Sequence, residues 1–116
     1  MNSTLQIPKA EIHVHLEATI TPSLCRKFAK RNKVKLSKDI FGSKYAYKWE
    51  DFYDFIKRYD IVTSVIHTPE DYYELTYTYL KECASHNVLY VEAMVSSTHA
   101  KAKGMNYHSF LESVHQ

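Results

Sequence analysis

Residues 8–17 read "PKAEIHVHLE", and the fold turns on how this stretch is taken. It is short, apolar and partly β-branched, with His13 and His15 one residue apart and an acid, Glu17, just after them. A run of this kind reads as a strand of the buried type. In an extended strand, side chains at i and i+2 point to the same face, so His13 and His15 project side by side. Two neutral imidazoles converging on one spot make a metal half-site.

Outward from this stretch, "VLYVEAMV" (residues 88–95) is the clearest strand in the chain. Tyr90, Glu92 and Met94 share one face, and Leu89, Val91, Ala93 and Val95 the other. Apolar residues on both faces predict a strand covered on both sides, as in a parallel α/β sheet. A carboxylate on such a strand needs a partner, so Glu92 reads as half of a structural ion pair.

Helices fill the space between. Thr21 followed by Pro22 is a helix start, an N-cap oxygen ahead of a proline at the first helical position. Leu24, Cys25 and Phe28 give this helix a buried stripe, with Arg26, Lys27, Lys30 and Arg31 outside. The basic residues from Arg26 to Lys38 read as a solvated helix end and loop. Residues 49–67 carry Trp49, Phe52, Tyr53, Phe55, Ile56, Tyr59 and Val62 at helical spacing. A further helix opens at Thr68–Pro69, with Asp71 where a capping-box acid belongs, and ends near Asn87, which tolerates the left-handed conformation. After the second strand come a polar loop and "NYHSFLESVHQ", helical by the spacing of Tyr107, Phe110, Leu111 and Val114.

The order is therefore strand, several helices, strand and the start of a helix. With two glycines and three prolines there is no flexible linker, so one unit is implied. Roughly 70 residues separate the strands, against about 30 in a simple βαβ unit. The excess reads as a helical insertion above the C-terminal end of the first strand, where α/β barrels build their active sites. Two parallel strands cannot be covered on both faces by so little chain, and the last helix has no stop signal before Gln116. The expected fold class is α/β, the N-terminal fragment of a (β/α)8 TIM-type barrel with a helical insertion after strand 1.

Charge and composition exclude several classes. A net charge of +2 with 24% charged residues gives no electrostatic case for nucleic acid or an anionic membrane. No stretch approaches the roughly 20 apolar residues of a membrane helix. The N-terminus lacks a basic segment leading into a long apolar run, which argues against a signal peptide. Cys25 and Cys83 stand far apart and read as reduced core residues, so the expected compartment is cytoplasmic.

Taken alone, His-x-His is weak evidence, because seven histidines in 116 positions produce such pairs by chance. His15-Leu16-Glu17 fits the H-x-E half of the cytidine-deaminase signature, but the P-C-x-x-C that signature needs is absent. There is no glycine-rich phosphate loop, nucleophile elbow or H-E-x-x-H helix. His67, His86, His99, His108 and His115 have no partners at ligand spacing and read as surface residues.

At this point the residues resemble a known family. "PKAEIHVHLEATITPSLC" is similar to the opening of the adenosine deaminase family, and "YVEAMVSS" resembles that family's second-strand block. The stretch with Phe52 and Phe55 ahead of "HTPEDYYELTYTYL" resembles its helical lid and the helix after it. The likeness covers essentially the whole chain in family order, with the strand-one block the most specific. It implies that residues 1–116 are the first third of a barrel domain and that the cofactor is Zn2+.

Residue by residue, the resemblance makes His13 and His15 the first two zinc ligands, with paired core histidines as the alternative, and gives Glu17 a hydrogen bond to the ribose of a purine nucleoside, with capping of the loop as the alternative. It places Phe52 and Phe55 in a lid over the purine; Trp49, Phe52, Phe55 and Tyr59 stay open between lid contact and ordinary core. The family's third histidine ligand, proton-shuttling glutamate, further histidine and metal-site aspartate match no residue here, so no catalytic residue is assigned and the chain alone is expected to be inactive. Ala18 stands where the family usually has glycine, and Met94 and Ser97 where it has arginine and proline, which bears on substrate preference.

Two functions remain. The first is zinc-dependent hydrolytic deamination of adenosine or a related adenine nucleoside by a longer parent, a modified adenine nucleotide being a variant. The second is a noncatalytic truncated paralogue or interaction fragment. The expected partner is a small-molecule purine nucleoside, with no nucleic acid or membrane.

Overall fold

Thr21 caps the first helix as its spacing predicts: its Oγ1 accepts from the Leu24 N–H at 3.2 Å, and α1 runs Pro22–Arg31. The computed structural model describes residues 3–44 and 46–115. Ahead of α1 lie strand β1 (Lys9–His15) and a 3-10 turn, Leu16–Thr19. After it come a two-strand hairpin, β2 (Phe41–Ser43) and β3 (Ala46–Tyr47), then α2 (Phe52–Thr63), α3 (Pro69–Ser85) and β4 (Val88–Met94). Two helices follow, α4 (Ser97–Ala102) and α5 (Tyr107–His115).

β1 pairs with β4 in parallel, as expected of an α/β fold, with His15 opposite Met94 at the C-terminal ends. α3 returns the chain to the start of β4, and Asn87 makes the final turn at φ 56°. The buried core sits among the helices and the Leu16–Thr19 turn: Leu16, Cys25, Phe28, Tyr72, Leu75 and Phe110 are all at 1% exposure or less. Tyr72 and Phe110 meet edge to face, which joins α3 to α5. Both cysteines are free and buried, and burial pushes the Cys25 thiol up to about 11.

The helix expected over residues 49–67 is shorter. Asp51 accepts from the Asp54 N–H at 2.8 Å and so caps α2 at Phe52, leaving Trp49 ahead of the helix. The polar loop expected after β4 contains α4, capped by Ser96. The hairpin β2–β3 had no period-2 signal because its strands are too short to show one.

The expectation that β4 is covered on both faces does not hold: Leu89 is 72% and Tyr90 55% exposed, because the sheet has two strands among the described residues. Glu92 is exposed for the same reason. It accepts from the Tyr90 hydroxyl at 2.6 Å, and among the described residues it has no ion-pair partner, contrary to its reading as half of a buried pair.

Two further readings are corrected. The basic segment is engaged rather than simply solvated. Arg26 lies over the Phe41 ring and donates to the Lys44 carbonyl at 2.7 Å, while Arg31 pairs with Asp71 and with Glu74. His99 is half-buried, its Nε2 2.9 Å from the Ile66 carbonyl and its ring against Tyr72.

Among the described residues no helix is long and apolar enough to cross a membrane.

Candidate active site at the strand ends

The site is assembled where β1 and β4 end. His13 and His15 lie on the same face of β1, their ring centroids 5.4 Å apart, as the i, i+2 spacing predicts. Both side chains are accessible, and among the described residues neither ring is hydrogen-bonded to another group. No third His, Cys, Asp or Glu joins them among the described residues. Two converging imidazoles fit zinc as part of a ligand set, since catalytic zinc is ordinarily held by three protein ligands that include histidine.

The chain then turns through Leu16–Thr19, which buries Glu17 to 3% exposure. A carboxylate placed so deep must be hydrogen-bonded. Its Oε1 accepts from the Tyr72 hydroxyl at 3.0 Å and from the Ser96 N–H at 2.7 Å. Glu17 thus ties the end of β1 to α3 and to the residue that starts α4. Burial, with the Glu17 charge beside it, pushes the Tyr72 hydroxyl well above the usual phenol range, so it stays a donor. Tyr72→Phe is expected to cost about 1.5–3 kcal/mol of stability, the range for a hydrogen bond to a charged group. Urea unfolding of the two proteins measures it.

An open cavity of about 650 Å3 lies over these groups, lined by His15, Glu17, Phe55, Tyr59, Met94 and Ser96 among others. A smaller recess of about 90 Å3 adjoins it, sharing Glu17, Phe55 and Tyr59 and reaching Trp49 and Ala18. Phe55 meets Trp49 edge to face, centroids 5.2 Å apart. The cavity is therefore apolar on the α2 side and polar at the strand ends, a common composition for a small-molecule site. Two grooves beside α3, each of about 300 Å3, hold neither a paired imidazole nor a buried acid.

The candidate residues separate accordingly. His15, Glu17 and Phe55 share the cavity, and His13 stands beside His15. Phe52 does not join them: it is 70% exposed and packs edge to face on Tyr53. Tyr72 and the Ser96 backbone are the partners that sequence reasoning missed. Tyr72 reads as one more apolar position of the α3 stripe, and a backbone N–H leaves no mark in a sequence.

Parallel strands joined through helices, with chemistry-bearing side chains at the strands' C-terminal ends, define part of a parallel α/β barrel enzyme scaffold. Residues 8–116 match the adenosine deaminase family model, and the chain belongs to that family. It is 39% identical over 111 residues to an adenine deaminase of Rhizobium leguminosarum bv. trifolii, a match covering 96% of this chain and 34% of that protein. The crystal structure of adenine deaminase from Arthrobacter aurescens superposes with a TM-score of 0.77 at 26% identity, over 93% of this chain and 33% of that one. A cog1816 amidohydrolase from Burkholderia ambifaria, solved with bound Zn, gives a TM-score of 0.74 at 20% identity, over 96% and 31%. The chain spans about a third of the length of the relatives it matches.

Proposed function

We propose that this chain is the first third of a hydrolase that replaces the exocyclic amino group of an adenine compound with oxygen, releasing ammonia. The observation that carries the reading is the His13–His15 pair opening beside a cavity that also holds a buried carboxylate. In this reading His13 and His15 hold zinc, and the rest of the ligand set and the proton-shuttling acid come from the part of the parent that this chain does not span. Zinc bound there would supply a Lewis acid that brings the pKa of a water toward neutrality. The zinc-bound amidohydrolase of the same fold supports the choice of metal.

The chain's own residues bind and orient. Phe55 and Tyr59 offer aromatic surface to a flat heterocycle and exclude water from one side of the cavity. Glu17 fixes the strand ends through Tyr72 and Ser96.

Among adenine compounds, free adenine is the preferred substrate in this reading. This preference rests on the Rhizobium relative, which is named an adenine deaminase. The test is release of the C6 amine by the zinc-loaded parent protein, ammonia from adenine and adenosine and methylamine from an N6-methylated adenine nucleotide. Adenine is expected to give the highest kcat/KM, and the 116-residue chain alone to give no release above background. A parent inactive on all three would overturn the proposal.

A further inference from the structure

β1 is not a regular strand. Glu11 pairs with Val91 and Val14 with Ala93, so two residues, Ile12 and His13, lie opposite the single Glu92. His13 absorbs the extra residue with a left-handed backbone, φ 57°, a state that non-glycine residues seldom adopt. Such bulges are rare between parallel strands and tend to occur beside active sites, where they re-aim a side chain.

What the bulge changes is parity. Simple alternation puts Glu11, His13 and His15 on one face. In the structure Glu11 faces the helices, where its Oε2 accepts from the Tyr79 hydroxyl of α3. His15 lines the cavity on the other face together with its register partner Met94. His13 stands beside His15. One extra residue between Glu11 and His13 lets the carboxylate and the imidazoles point in opposite directions. Without it, either Glu11 leaves Tyr79 or both imidazoles turn toward α3.

We propose that the Glu11–Tyr79 hydrogen bond is a positioning device for the histidine pair: it anchors Glu11 on the helix side, so that the extra residue is taken up at Ile12–His13 and His15 faces the cavity with the His13 ring beside it. The consequence for zinc rests on the ligand role proposed above for His13 and His15. The bulge itself does not.

The test uses the parent protein with Tyr79→Phe, which removes the donor, Glu11→Ala, which removes the acceptor, and Glu11→Gln, which keeps an acceptor oxygen. Zinc affinity is read by competition with a chromophoric chelator. The His13 backbone conformation is read in metal-free protein from its carbon shifts and amide–Hα coupling. Tyr79→Phe and Glu11→Ala are expected to weaken zinc binding about 10- to 100-fold, the range for groups that orient a metal ligand. Both are expected to shift His13 from a left-handed toward an extended signature, and Glu11→Gln to behave as the unaltered protein. A fall in melting temperature with zinc affinity and the His13 signature unchanged would overturn the proposal, since the bond would then be only structural. If the unaltered protein binds no zinc, the ligand reading fails, and the His13 signature alone still decides whether the pair sets the bulge.

Discussion

Replacing His13 or His15 by alanine in the parent protein is expected to strip the bound metal and lower deaminase kcat/KM by more than about 10^3-fold, roughly 4 kcal/mol of transition-state stabilisation. The two rings stand together at the C-terminal end of β1, so neither substitution leaves a neighbouring imidazole free to take over. Their side chains are accessible and make no hydrogen bond among the described residues, so the folded state loses little when they are cut back. The discriminating result is a large loss of activity and of zinc, measured by elemental analysis, with an unfolding midpoint near that of the unaltered protein. A variant that kept both zinc and turnover would remove the histidines from the site.

The second large effect is on stability, at Asp71. This carboxylate has no exposed surface, and it collects hydrogen bonds from the His67 N–H at 2.8 Å, the Thr68 N–H at 3.1 Å and the Asn32 amide at 2.7 Å, besides its pair with Arg31. It closes the α3 capping box and joins the end of α1 to the start of α3. Asp71→Ala leaves two backbone N–H groups without their acceptor and the Asn32 amide with only the Val65 carbonyl. The expected loss is about 3–5 kcal/mol, a large part of the 5–15 kcal/mol typical of a whole domain. Urea titration is the measurement.

The pH dependence of Asp71 has a definite sign. Burial pushes the carboxyl up, but the bonds from His67, Asn32, Arg31 and Thr68 outweigh it and leave the acid below its ordinary value. A depressed pKa means that the stabilisation is complete above the unfolded value of about 3.9 and is lost as pH falls through the lower folded value. Asp71→Asn is expected to lose stability at neutral pH and to flatten the acid limb of the curve.

Several features are legible without tertiary structure because their interactions close within a few residues. The Thr21–Pro22 start of α1 and the Thr68–Pro69–Asp71 start of α3 are caps made by a side chain and a backbone three residues on. The left-handed turn at Asn87 and the two strands are equally local. The common face of His13 and His15 follows from strand geometry alone, and the strand-one motif carries the family.

Other features depend on partners far along the chain. Glu17 is buried by Tyr72, 55 residues away, and by Ser96, 79 away, so its commitment to the scaffold could not be read from its own surroundings. Phe52 and Phe55 look alike in the lid stretch, yet the docking of α2 turns Phe55 into the cavity and leaves Phe52 outside. Glu92 reads as buried, but its exposure depends on what covers the sheet.

By itself, then, the sequence determined the elements, their caps, the family and the pairing of two imidazoles, all carried by contacts a few residues long. Which way that pair points was settled by tertiary structure. A strand's alternation sets relative faces, but which face meets the helices depends on the register with β4 and on Glu11 meeting Tyr79, 68 residues away.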